Sequence, residues 1–392
     1  MISFTDKAPG VYRIDVFPTA AEGLRTGVPA FLGLAERDTP ASAPQLLTLW
    51  PEFERFFGRA LPNGYLADSV RGFFENGGRA CYVLALDAGK AGVEQPIPER
   101  ERELAAGLEK LAALDMVDLV SAPDIVQARR LGQVGSAPPE LEDVRRLQNI
   151  VLEHCNKQGD RFAILDAVPG VTMEHVREQR TGLSGSNGAL YYPAVRPADG
   201  DVRLVPPCGY VAGIYARSDE RVGVHKAPAN EVVRGVLDLE ARLGAAEQAT
   251  LNSEGINCLR AFPGRGIRVW GARTLATEAA WRYVAVRRLV LTVGRWIERY
   301  MAAVVWEPNE PGLWARITRE LTSYLDGLFE RGALKGATPD EAYYVRCDRS
   351  TNPPEVRDSG TLVAEIGLAP AVPREFVAIR IVHGTSGVSI ST

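Results

Sequence analysis

Histidine is scarce in this 392-residue chain, which has only His154, His175, His225 and His383. None has a second histidine three or four residues away, and no HExxH run occurs, which removes the common zinc spacings. His154 adjoins Cys155, but neighbours on a helix point about 100° apart, so the adjacency makes no nucleophile-base pair. The five cysteines, Cys81, Cys155, Cys208, Cys258 and Cys347, are odd in number, far apart and without a CxxC pair. That is the usage of a reducing compartment rather than a disulfide scaffold. No window reaches about 18 apolar residues, because the most apolar stretch, 283–306, is interrupted by Arg287, Arg288, Arg295, Glu298 and Arg299. MISFTDKAPG carries Asp6 and Lys7 where a signal peptide needs an apolar run, so assembly in the cytoplasm is expected, with any later release by lysis or within a larger particle. A net charge of −4 lacks the basic footprint of a nucleic-acid binder. Phosphate loops are missing too. Val269 stands where Gly264-Arg265-Gly266 would need a third glycine, and Leu84 stands five residues before Gly89-Lys90. Ser184-Gly185-Ser186 does not make a GxSxG elbow.

What is present is a folded composition, 46% hydrophobic and 24% charged, long enough for two or three compact units. Between about 28 and 225, β-rich runs alternate with helical periods, predicting a parallel α/β sheet: strands near 28–34, 80–86, 116–120 and 162–168, with helices over 66–76, 99–114 and 141–155. Residues 189–195 and 202–205 read as a hairpin, and 208–216 and 231–239 as helices. Beyond 256, strands over 256–262 and 267–270 precede a helix predicted over 274–304. Its apolar positions Ala279, Tyr283, Val286, Val290, Val293, Ile297, Tyr300 and Val304 form a stripe that needs a partner. A second helix over 313–329 and strands over 343–347, 362–366 and 376–382 complete an α+β unit.

Three features carry candidate function. Asp124 and Asp166 follow successive strands, where acids could hold a metal or act as acid and base; short acids also cap turns there. Residues 256–334 hold twelve arginines, no lysine and seven acids, a net of +5 against −9 for the rest of the chain. Within that window Arg288, Arg295 and Arg299 recur on one helix face, and guanidinium forks suit an acidic protein partner. Finally, residues 10–17 (GVYRIDVF) and 375–383 (EFVAIRIVH) are apolar, β-prone segments at the two ends. Each is an edge strand of the chain's own sheet or a strand donated to a neighbour.

The runs GVHKAPAN (223–230), LNSEGIN (251–257) and AFPGRGIRVWGART (261–274) resemble the contractile tail sheath family. WRYV (281–284), FERGALKG (329–336), TNPP (351–354), Phe376-Val377, APGVY (8–12) and RGFFENGG (71–78) are similar to it as well. The resemblance implies a non-enzymatic subunit without cofactor or metal. Such subunits stack as six-membered rings around an inner tube and contract to drive the tube through a target envelope. It implies an N-terminal arm (1–20), an outer α/β domain (21–250), an inner α+β C-terminal domain with long helices (251–373) and a C-terminal strand and arm (374–392). The expected partners are other copies, the inner tube, and baseplate and cap proteins, with no nucleic acid and no membrane insertion. Strand exchange is then expected through Val11, Tyr12, Ile14, Val16, Phe376, Val377, Ile379 and Ile381, with Arg288, Arg295 and Arg299 facing the tube. The chain has room for one outer domain, like the compact sheaths of phage-tail-like particles and extracellular injection systems.

Overall fold

The computed structural model describes residues 24–37, 43–86, 97–127, 140–200 and 203–371, and the strands 377–384 and 387–391 by their backbone. Val11, Tyr12, Ile14, Val16 and Phe376 lie outside the described residues. The alternation expected in the first half is present. It runs β1 (Pro29–Gly33), β2 (Gln45–Leu47), α1 (Trp50–Phe57), α2 (Leu66–Glu75), β3 (Cys81–Ala85), α3 (Ile97–Leu111), β4 (Leu119–Ser121), α4 (Leu141–Gln158), β5 (Phe162–Asp166), α5 (Met173–Thr181) and β6 (Gly188–Tyr192). Then follow β7 (Val195–Pro197), α6 (Cys208–Arg221), β8 (Val236–Leu239), α7 (Ala245–Ser253), β9 (Ile256–Phe262) and β10 (Gly266–Trp270).

These elements form an eight-stranded sheet in the order β10-β9-β6-β5-β4-β1-β3-β2. The pairings from β3 through β1, β4, β5 and β6 to β9 are parallel, and β2 and β10 are antiparallel edges. β1 (PAFLG), β5 (FAILD) and β6 (GALYY) are buried at every position, as strands covered on both faces must be. Neighbours alternate between two apolar layers: Phe31 and Leu119 join Phe73 and Tyr215 on one face, while Leu32 and Val120 join Leu108 and Val151 on the other.

Two expectations in this half are corrected. Residues 231–239 form no helix: Val233 N donates to the Ile267 carbonyl, Val269 N to that of Glu231, and β8 pairs with β7. The edge of β10 thus captures the chain that periodicity alone read as helical. The domain boundary expected at 250/251 is also displaced, because β9 and β10 belong to the large sheet, β9 joining through Leu190↔Ile256 and Tyr192↔Cys258. The hairpin survives as a single antiparallel bridge, Val195↔Val205.

The second unit begins after Trp270. α8 (Val284–Ala302) starts ten residues later than expected, since Arg273 and Tyr283 bridge and Thr274 N donates to the Arg282 carbonyl, closing 273–283 into a loop. α9 (Pro311–Glu330) follows Pro308 and opens on Pro311. A four-stranded sheet has the order β11 (Tyr343–Arg346), β12 (Leu362–Leu368), β13 (Val377–Gly384) and β14 (Gly387–Ser391). The stripe on α8 finds the partner it required: Val290, Val293, Ile297 and Met301 pack with Ile317, Leu321 and Leu325 of α9 and with Ala364 and Ile366 of β12. Val284 and Leu291 of the same helix join the core of the large sheet. α8 is therefore shared by both units.

Candidate assembly interface

β12 is one of the two inner strands of the C-terminal sheet, and its sequence LVAEIGL is buried at six of seven positions. On one side β11 pairs with its second half, from Tyr343↔Leu368 to Arg346↔Glu365. The first half is covered by a side chain: Asn352 Oδ1 accepts from Val363 N at 2.7 Å and its Nδ2 donates to the Val363 carbonyl at 2.9 Å. Asn352 is 1% exposed, so its amide mimics one residue of a missing strand. On the other side β13 pairs antiparallel with β12 through Leu368↔Val377, Ile366↔Ile379 and Ala364↔Ile381. Within the chain the C-terminal segment thus pairs as an inner strand of its own sheet, between β12 and β14, and β14 forms the outer edge. Each such edge is a row of open backbone donors and acceptors that another strand can use.

The arginine face of α8 is corrected more sharply. Arg288 is 3% exposed. Its Nη1 and Nη2 donate to Asp219 on α6 at 2.9 and 2.5 Å, and Nη2 also reaches Asp118 at 3.1 Å, just before β4. The guanidinium lies over the ring of Tyr215, 4.8 Å from its centroid. Burial opposes its charge, but Asp219 and Asp118 outweigh that penalty and hold it protonated. Asp118 in turn accepts from Gly27 N and Val28 N, tying the chain leading into β1 to the same cluster. Gly27 adopts φ 71°, and a β-carbon there would lie 2.5 Å from the Ala216 backbone, so only glycine fits beside α6. Arg295 is 6% exposed and donates to the Asp115 carbonyl at 2.7 Å. Arg288 and Arg295 therefore fasten α8 to the large sheet and face no partner; of the three, only Arg299 is exposed. Helical periodicity located the face correctly but could not tell a solvated stripe from one buried against acids. Asp118 and Asp219 were missed because a single acid before a strand or within a helix carries no periodic signal.

The acid pair has structural work. Asp124 accepts from Leu34 N at 2.7 Å, Tyr65 N at 2.6 Å and Gln127 Nε2 at 2.9 Å, joining the end of β1 to the start of α2. The cavity beside it measures only about 40 Å³. Asp166 accepts from Cys208 N at 2.8 Å at the start of α6. Burial pushes Asp166 up to about 7 against the pull of the Cys208 hydrogen bonds. Among the described residues no group of three or more His, Cys, Asp or Glu could hold a metal ion, and no helix is long and apolar enough to cross a membrane. Since the folded pKa of Asp166 lies above its ordinary 3.8, the native protein retains a proton that the unfolded chain has lost between those values. Stability from this group therefore falls as pH rises through the window, at up to roughly 1.4 kcal/mol per pH unit. Asp166→Asn is expected to remove that slope in urea unfolding across the same range; parallel curves for variant and parent would contradict it.

The architecture is two packed units, α/β and α+β, joined by one shared helix. The family described as "Phage tail sheath protein central domain" matches residues 138–275. A tail sheath protein of Vibrio phage KVP40 is 22% identical over 344 residues, covering 79% of this chain and 50% of that protein. The chain spans half or less of the length of the curated phage relatives it matches. A chain in the cryo-EM structure of the anti-feeding prophage baseplate superposes with a TM-score of 0.73 at 27% identity, covering 94% of this chain and 97% of that one. One in the contracted PVC sheath complex of an extracellular contractile injection system gives 0.71 at 28%, covering 94% and 96%. This chain is thus similar to contractile tail sheath proteins, in sequence over residues 138–275 and in fold over 94% of its length.

Proposed function

We propose that the chain is the repeating subunit of a contractile sleeve that stacks as six-membered rings around an inner tube and shortens to drive the tube through a target envelope. The observation that carries this reading is the near end-to-end superposition on chains of the contracted PVC sheath complex and the contracted anti-feeding prophage helical sheath, covering 94% of this chain and 96–97% of theirs. One feature of the structure and one of the sequence support it. The C-terminal sheet ends in pairable edges, and an apolar N-terminal segment, with Val11, Tyr12, Ile14 and Val16, is the right material to extend such a sheet in a neighbour. In the sleeve, β13 with Val377, Ile379 and Ile381 is exchanged between copies, so subunits stay linked while they rotate. Exchange of an identical element costs little, because the pairing lost within one chain is regained between chains.

Contraction needs no nucleotide in this scheme: the extended lattice is assembled in a higher-energy arrangement and relaxes. Arg299, exposed near the end of α8, is the remaining tube-facing candidate. Baseplate and cap proteins terminate the sleeve, which assembles in the cytoplasm and leaves by lysis, without nucleic acid or membrane insertion. Negative-stain imaging of the purified full chain tests the reading. Rings or sleeves are expected. Discrete monomers binding a divalent ion would instead favour the metal-dependent enzyme that Asp124 and Asp166 suggested.

A further inference from the structure

Beside the C-terminal end of α6, six cations crowd around one carboxylate. Glu231 accepts from Lys226 Nζ at 2.5 Å and Arg221 Nη2 at 2.9 Å, and lies 3.7 Å from Arg217 Nη2. The other guanidiniums are positioned by neutral oxygens, which orient a cation without cancelling its charge. Arg217 donates to the carbonyls of Asn76 and Val232 at 2.7 Å each, and Arg268 donates to the Asn230 carbonyl at 2.7 Å. Arg265 reaches Asn230 Oδ1 at 3.2 Å. Asn230 is the one non-glycine residue among those described with a positive φ, 58°, and that conformation lets its backbone and side-chain oxygens serve two arginines together. Arg234 is exposed and has no acid partner among the described residues. Its own N–H is locked by Asn76 Oδ1 at 2.9 Å, so the loop that carries it is fixed. Burial, and the charge of Arg234 beside it, pull the pKa of Arg217 down, a sign of cations pressed together without enough anions. Between them lies a cleft of about 290 Å³ lined by Arg217, Arg221, Asn230, Glu231, Arg234 and Arg268.

We infer that this cleft receives a carboxylate-bearing segment from a second copy of this chain. Arginine forks held at fixed angles match carboxylate geometry. The acid is available from the chain itself, which carries −9 outside residues 256–334 even with four of these cations counted in. Copies of one protein that polymerise bring that acidic surface against this cleft at high local concentration. The inference rests on the sleeve reading above.

The test is the full-length double variant Arg221→Glu/Arg234→Glu, with Arg221→Gln/Arg234→Gln as the milder form should the first fail to fold. Both side chains are exposed, so thermal unfolding is expected to shift by no more than a few degrees, chiefly through the lost Arg221–Glu231 pair. A six-residue polyglutamate peptide is expected to bind the parent at low salt and the variants about tenfold or more weakly. The protein concentration needed for sleeves should rise by a similar factor. Sleeves that form in the variants at the parent's concentration overturn this inference alone. A parent that binds the peptide yet stays monomeric overturns both the second-copy occupant and the sleeve reading. Inorganic phosphate binding more tightly than the peptide overturns the assignment to protein carboxylates.

Discussion

Replacing Arg288 by methionine is expected to destabilise the subunit by about 3–5 kcal/mol in chemical unfolding, because it leaves Asp118 and Asp219 buried and unpaired. The side chain is 3% exposed, so water cannot take over its role. Four segments meet at this guanidinium: α8 itself, α6 through Asp219, and the residues preceding β1 and β4 through Asp118. Its loss therefore loosens the seam between the two units rather than one local contact. Adding Asp219→Asn to Arg288→Met is expected to cost much less than the sum of the single changes, since the second change removes a charge that the first left stranded. Arg299→Glu, on the exposed part of the same helix, is expected to stay within about 0.5 kcal/mol of the parent. An Arg288→Met protein as stable as Arg299→Glu would contradict the burial of this cluster.

Deleting residues 1–16 is expected to leave a folded subunit that does not polymerise. The removed segment includes Val11, Tyr12, Ile14 and Val16; Tyr12, Ile14 and Val16 alternate, which suits one face of an added strand, with Val11 on the other. Residues 24–371 supply three apolar clusters of their own, so thermal unfolding of the truncated chain should match the parent within a few degrees. Sedimentation and negative-stain imaging provide the readouts. Sleeves of normal length from the truncated chain would refute strand exchange at this end, whereas an unfolded product would show that the segment belongs to the subunit's own core.

The parts of the fold that were legible in sequence are those whose burial is periodic. Leu104, Leu108 and Leu111 mark one face of α3, and FAILD marks a strand covered on both sides. The 4-3 stripe on α8 announced a long partner, which α9 and β12 supply. What failed was decided by contacts distant in sequence. Residues 231–233 are held extended by β10, more than thirty residues ahead, and 236–239 by β7, about forty behind; the boundary at 250 moved because β9 pairs with β6 across sixty-odd residues. The site followed the same rule. Arg288 and Arg295 were correctly placed on one helix face, but their orientation inward depends on Asp118, Asp219 and the Asp115 carbonyl, none of which shares a periodic pattern with α8. Asn352, quoted only as part of TNPP, turned out to finish the edge of β12, and no rule of spacing reveals a side chain that imitates a strand.

The most direct measurement is cryo-electron microscopy of the full chain co-expressed with the tube protein that the sleeve reading proposes. A sleeve of six-membered rings is expected, in which each four-stranded C-terminal sheet contains at least one strand from a neighbouring copy beside β12. Particles that remain single subunits at concentrations where tubes form, or rings whose sheets are each completed from one chain, would contradict it.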